Sequence, residues 1–172
     1  NVAKHIALAN PADVDELMNQ KFVDDESKTI TDLVSDATVS IGEKISIRRF
    51  ARYETEAGAV ETYIHMGGKI GVLLQVANDN AASLNADEFK TFYHDVALQI
   101  AAARPTYVRP EEVPAETLEN ERKILRAQAM EEGKPEDIAN RMVEGRIKKY
   151  YKEVCLLEQP FVKDGDKSIK QV

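Results

Sequence analysis

Histidine can move protons or ligate a metal, and cysteine can attack a carbonyl; this chain of 172 residues holds His5, His65, His94 and a single Cys155. None of the histidines has a Cys, His or acidic neighbour at a recognised metal-ligand spacing, so no metal site is expected. No Cys-His pairing is signalled, and there is no GxSxG, no GxxxxGK[ST] and no GxGxxG. Gly67-Gly68-Lys69 looks like a fragment of a phosphate loop, but no helix and no Ser or Thr follows it, and it reads as a hairpin turn. Carboxylates are so abundant that pairs such as Glu111-Glu112 and Glu131-Glu132 identify nothing beyond solvated helix ends. The expectation is a protein that is not an enzyme, with no catalytic residues and no cofactor.

Charge narrows the partners. A formal net charge of -7 argues against binding phosphate backbones, which needs an electropositive face, so no direct nucleic-acid partner is expected. Tyr150-Tyr151 beside Lys148-Lys149 has the composition of a base-stacking platform, yet aromatics at the foot of a helical hairpin serve as anchors, and the acidic balance favours that reading. One cysteine cannot form an intramolecular disulfide, which fits a reducing compartment and a cytoplasmic location. The longest apolar run, 70–77, is strand-length, so no membrane span is expected.

Hydrophobic spacing defines the elements that would position any functional residue. Val2, Ile6 and Ala9 keep helical rhythm until Pro11 ends it, and a short helix over 12–19 follows. Thr29 or Thr31 caps a third helix whose apolar stripe is Ile30, Leu33, Val34, Ala37 and Ile41, ending near Gly42. From Lys44 the period becomes two: Ile45 and Ile47, then Val60, Thr62 and Ile64, then the nearly continuous run 70–76. Three strands joined by Gly-bearing turns read as an antiparallel meander.

A polar loop at 78–85 leads to an amphipathic helix marked by Phe89, Phe92, Tyr93, Val96, Ile100 and Ala103, closed by Arg104-Pro105. Two charged helices, 115–132 and 135–152, flank Gly133-Lys134-Pro135, where Gly suits the residue after a helix and Pro the first residue of the next. This predicts an antiparallel hairpin with a narrow seam of Leu118, Ile124, Leu125 and Ala129 against Ile138, Met142 and Ile147. From Asp164 onward the residues are charged or small apart from Ile169 and Val172, and an exposed linker is expected.

Set against itself, the chain places Val2–Pro11 beside Val96–Pro105 with six of ten positions identical. Either two Ala-rich helices ending at Pro look alike by chance, or the chain carries a duplicated unit. Duplication would make the opening helix the remainder of a lobe whose own meander lies before the first residue.

The segments Ile47-Arg48-Arg49-Phe50, His65-Met66-Gly67-Gly68-Lys69-Ile70-Gly71, Asp95-Val96-Ala97 through Pro105, Glu111-Glu112-Val113-Pro114, Gly133-Lys134-Pro135 and Leu157-Glu158-Gln159-Pro160-Phe161-Val162, taken in order, resemble the elongation factor Ts family. The fold expected is α+β: a small antiparallel meander packed by helices, in a duplicated two-lobe core with the first lobe incomplete, plus a protruding helical hairpin. Its divisions would be 1–43 for the remainder of the first lobe, 44–114 for the second, 115–154 for the coiled-coil hairpin and 155–172 for a return segment and tail.

The resemblance implies a guanine-nucleotide exchange factor for elongation factor Tu in translation, with a dimer of the complex as a further assembly. It places Ile41 and Gly42 against the GTPase domain, and His65, Met66 and Gly67 against a more distal domain. Two family features have no counterpart in the sequence: the N-terminal ubiquitin-associated-like domain, and the Thr-Asp-Phe-Val motif that wedges into the GTPase domain. A second reading, from another class, is a noncatalytic helical-hairpin scaffold.

Overall fold

In the computed structural model the described residues are 2–78, 80 and 86–172, so the polar loop expected at 78–85 lies mostly outside them. The chain divides into two compact units, Asn1–Glu54 and Thr55–Val172.

The first unit opens with α1 (Val2–Ala9), which ends where Asn10 turns left-handed (φ 46) and donates back to Ile6 O, with Pro11 next. Helix α2 (Val14–Asn19) starts at Asp13, whose carboxylate accepts the Glu16 N–H. A bulged two-stranded hairpin follows, β1 (Lys21–Phe22) with β2 (Asp25–Thr29), and feeds directly into α3 (Ile30–Ile41). Ile6, Leu17, Phe22 and Ile30 form the core, and Leu33, Val34, Ile47 and Phe50 pack onto it. Burying a side chain the size of Leu17 or Ile30 stabilises by about 1.5–3 kcal/mol each.

Helix α3 carries a reciprocal cap. The Thr29 hydroxyl oxygen accepts the Asp32 N–H at 3.1 Å, and the Asp32 carboxylate accepts the Thr29 N–H at 2.8 Å. Replacing Thr29 with Ala is expected to lower the stability of this unit by about 1 kcal/mol, read as a shift in its urea midpoint. The Thr29 N–H, with its hydroxyl, holds the Asp32 carboxyl below its ordinary value. A carboxyl whose value falls on folding stabilises at neutral pH, and the contribution is lost as the pH drops through the lowered value.

The first strand of the expected meander is corrected here. Residues 44–50 show the predicted alternation in burial, with Ile45 and Ile47 half-buried and Ser46 and Arg48 exposed, but they carry no ladder. Ile47 and Phe50 instead pack on the core of α1 and α3, and apolar alternation alone does not make a strand without a partner edge.

In the second unit β3 (Gly58–His65) and β4 (Ile70–Ala77) pair antiparallel in unbroken register, from Gly58↔Ala77 to His65↔Ile70. The sheet is thus a two-stranded hairpin, covered on one face by α4 (Asp87–Ala103) through Val72, Ala97 and Ala101 with Tyr63, Ile70 and Leu74. After a Pro-punctuated segment come α5 (Ala115–Glu131) and α6 (Glu136–Val154). Gly133 is left-handed (φ 74) and the Lys134 N–H reaches Ala129 O, a glycine-dependent helix stop.

The seam between α5 and α6 is narrower than the sequence predicts. Ala129, Ala139, Val143 and Ile147 are buried, whereas Ile124 and Ile138 stand exposed. Ion pairs Arg122–Glu144, Arg126–Glu136 and Arg146–Glu132 connect the two helices. The two ends of this excursion meet at a parallel bridge between Tyr107 and Cys155, flanked by Thr106 N–H to Val154 O and Leu157 N–H to Val108 O.

The expected C-terminal linker is also corrected. β5 (Pro160–Phe161) and β6 (Asp164–Ser168) form a bulged hairpin, and Ile169 and Phe161 are buried with Val96 and Leu156. One buried apolar side chain, Ile169, together with the hairpin's hydrogen bonds holds an otherwise polar tail in place.

The two units share a bonding pattern. His5 on α1 is 1% exposed; its Nε2 pairs with Gln20 Oε1 at 2.8 Å and its Nδ1 accepts the Val23 N–H at 3.3 Å. Gln99 on α4 is 1% exposed; its Nε2 donates to Gln159 Oε1 at 3.1 Å and its Oε1 accepts the Val162 N–H at 2.8 Å. The Ile30 N–H donates to Gln20 O and the Ile169 N–H to Gln159 O, each at 3.1 Å. Helix α4 also ends like α1, at a left-handed Arg104 (φ 47) that donates to Ile100 O ahead of Pro105.

Candidate functional site

The five residues singled out in the sequence fall at the ends of two elements, one in each unit. Ile41 is the last residue of α3 and is 63% exposed, although the stripe it continues is a core stripe. The helix has outrun its core by that turn, since Val39 is exposed as well. Gly42 follows with φ 77 and donates to Thr38 O, so the helix stops in a left-handed cap that glycine adopts without a Cβ penalty. Ile41 therefore stands exposed at a helix end whose stop is set by the Gly42 cap.

The second group is the tip of the β3–β4 hairpin. His65 ends β3, and Met66, Gly67 and Gly68 are consecutive left-handed residues with φ 51, 64 and 96. Left-handed geometry is unremarkable for the glycines but costs of order 1 kcal/mol for methionine, and Met66 holds it with 61% of its surface exposed. The neighbouring Ile64 is exposed too. Thus the tip presents Ile64 and Met66 around a half-buried His65, whose Nδ1 is 3.0 Å from the Tyr63 hydroxyl. Sequence reasoning missed the Tyr63–His65 bond, which the interval of two on one strand face could have signalled.

The remaining chemistry-bearing residues have structural surroundings. Cys155 is fully buried, and burial, followed by Glu158, Glu112 and Glu111, pushes its thiol above the ordinary value. Such a thiol is a poor nucleophile. His5 serves the network described above. Burial likewise raises Tyr150, which is half-buried at the foot of α6. An apolar groove lined by Phe89, Phe92, Val96, Phe161 and Ile169 carries Asp87, Glu88 and Asp95 and, among the described residues, no histidine, cysteine or lysine. Among the described residues, no group of three His, Cys, Asp or Glu side chains is placed to hold a metal ion, and no helix is long and apolar enough to cross a membrane. Both groups singled out in the sequence place apolar side chains at the surface, Ile41 in one unit and Met66 in the other.

The family described as "Elongation factor TS" matches residues 1–172. Among curated relatives, the elongation factor Ts of Trichlorobacter lovleyi is 45% identical over 99% of this chain and 55% of its own length. That of Clostridium perfringens strain SM101 is 47% identical over 99% of this chain and 54% of its own. That of Aquifex aeolicus is 48% identical over 91% and 52% respectively. The chain spans about half the length of the curated relatives it matches.

Proposed function

Because the chain belongs to the elongation factor Ts family, we propose that it is a noncatalytic guanine-nucleotide exchange factor, or the part of one that grips elongation factor Tu, acting in cytoplasmic translation. The observation that carries this reading is the family match over residues 1–172. Ile41 with Gly42, and His65 with Met66 and Gly67, are the contact residues. Their support is physical: the exposed apolar side chains of Ile41 and Met66 at two element ends, the second on a strained backbone.

No bond is made or broken in this function. A factor that binds nucleotide-free Tu more tightly than GDP-bound Tu must, by reciprocity, weaken GDP by the same factor. A coupling of about 3 kcal/mol changes affinity roughly 150-fold. The α5–α6 pair is read as a two-helix coiled coil that adds partner surface, and a dimer of the complex is the larger assembly. The two units are read as copies of one duplicated lobe, on the strength of their shared hydrogen-bond pattern.

The test is the affinity of the purified chain for nucleotide-free elongation factor Tu, with and without excess GDP. Binding that GDP displaces is the expected result. A folded chain that binds no state of Tu at tens of micromolar overturns the reading. Replacing Ile41 with Ala is expected to weaken binding about tenfold with an unchanged unfolding midpoint, and replacing His65 to weaken it about as much with a loss of stability of about 1 kcal/mol from the Tyr63 bond. Equal losses of binding and stability at Ile41 would assign that side chain to the fold instead.

A further inference from the structure

Strand periodicity puts Tyr63 and His65 on the same face of β3, the face that packs on α4. The Tyr63 hydroxyl and His65 Nδ1 are 3.0 Å apart, and the two rings stack with centroids at 5.7 Å and planes at 24°. From α4, His94 meets the Tyr63 ring edge-on at 5.7 Å and 82°. Tyr63 is therefore held between a helix and the histidine at the hairpin tip.

The proton on this bond has a preferred side. A neutral imidazole nitrogen is a stronger acceptor than a phenol oxygen, and a phenol O–H is the stronger donor of the two groups. Among the described residues the hydroxyl has no second acceptor for its proton, so accepting from a protonated Nδ1 would leave that O–H without a protein partner. Donation by Tyr63 leaves His65 with its proton on Nε2. That nitrogen has no hydrogen bond among the described residues, and His65 itself is half-buried at the end of β3.

We propose that Tyr63 is a positioning residue that donates to His65 Nδ1, fixes the Nε2–H tautomer, and so presents one oriented N–H donor at the hairpin tip to a carbonyl or carboxylate oxygen of the partner. Only this last step rests on the reading of His65 as a contact with elongation factor Tu; the tautomer belongs to the free chain. Fixing the ring before binding removes part of the ordering cost that a free rotor would carry into the complex.

The imidazole nitrogen NMR spectrum of the free chain at mildly alkaline pH tests the first step. His65 is expected to show a protonated Nε2 and a bare Nδ1, and Tyr63→Phe to give a mixture of tautomers with the β3–β4 pairing intact. A protonated Nδ1 in the parent chain, or a spectrum that Tyr63→Phe leaves unchanged, overturns the proposal. In the binding arm, Tyr63→Phe weakens capture of nucleotide-free Tu about three- to tenfold, and adds nothing when His65 is already Ala. An equal loss in the His65→Ala background would place the effect in the fold and overturn the positioning role. Failure of the exchange-factor reading shows separately, as no capture by the parent chain, and the spectroscopic arm still decides the tautomer.

Discussion

Replacing Gln99 with Leu is expected to destabilise the second unit by about 2–5 kcal/mol, among the largest effects of any single change in this chain. Leucine nearly matches the volume but removes a donor and an acceptor at a fully enclosed position. The Val162 N–H loses its 2.8 Å acceptor, and Gln159 Oε1 and Pro160 O lose the donor they share. Leaving buried polar groups unpaired costs about 1–3 kcal/mol each, more than the bonds themselves contribute. Gln99→His is expected to be much milder, because His5 already makes the equivalent pair of bonds on α1. Urea denaturation of the two variants, followed in the second unit, checks this. Equal losses would show that shape, and not hydrogen bonding, governs the position.

Gly58→Ala is the second large effect, at about 3 kcal/mol. Gly58 has φ 145, and a Cβ there would lie 1.9 Å from Val76 O and 2.9 Å from Val76 C. Both atoms are backbone of the neighbouring strand, so the clash is relieved only by parting the ladder where Gly58 faces Ala77. Gly67→Ala is the control: its φ is 64, but nothing lies within 4 Å of the added Cβ, and a cost of about 1 kcal/mol for the left-handed backbone is expected. Amide exchange should show the Ala59 and Val76 end of the hairpin opening in Gly58→Ala and closed in Gly67→Ala. Matching losses in both would rule out the close approach at Val76 as the cause.

These positions show what the sequence discloses. Periodicity and punctuation located α1 by Pro11, α3 by Thr29 and Gly42, and the α5–α6 turn by Gly133, since each signal acts on the backbone locally. The hairpins β1–β2 and β5–β6 were invisible because Asp25–Thr29 and Asp164–Ser168 have neither alternation nor apolar content. They are held by bulged turns and by buried amide or imidazole groups reaching over from a distant helix. A second self-alignment would have found them: Gln20-Lys21-Phe22-Val23 matches Gln159-Pro160-Phe161-Val162, and Lys28-Thr29-Ile30 matches Lys167-Ser168-Ile169. The strand expected at 44–50 failed for the opposite reason, a correct pattern whose apolar residues Ile47 and Phe50 pack on the core of the first unit without joining a ladder. At the candidate site, the helix end at Gly42 and the turn at Gly67-Gly68 were legible but exposure was not, because a stripe that begins in the core says nothing of where the core stops. Ile30 is fully buried and Ile41 largely bare on the same helix.

The bridge between Tyr107 and Cys155 brings the start and finish of the α5–α6 excursion side by side. To the rest of its unit, everything between those residues is an insertion entered and left through one doorway. The contacts that close it, Thr106 N–H to Val154 O and Leu157 N–H to Val108 O, are separate from the seam of Ala129, Ala139, Val143 and Ile147 inside it. A change that opens the seam therefore need not unlatch the doorway, and the two can fail one at a time.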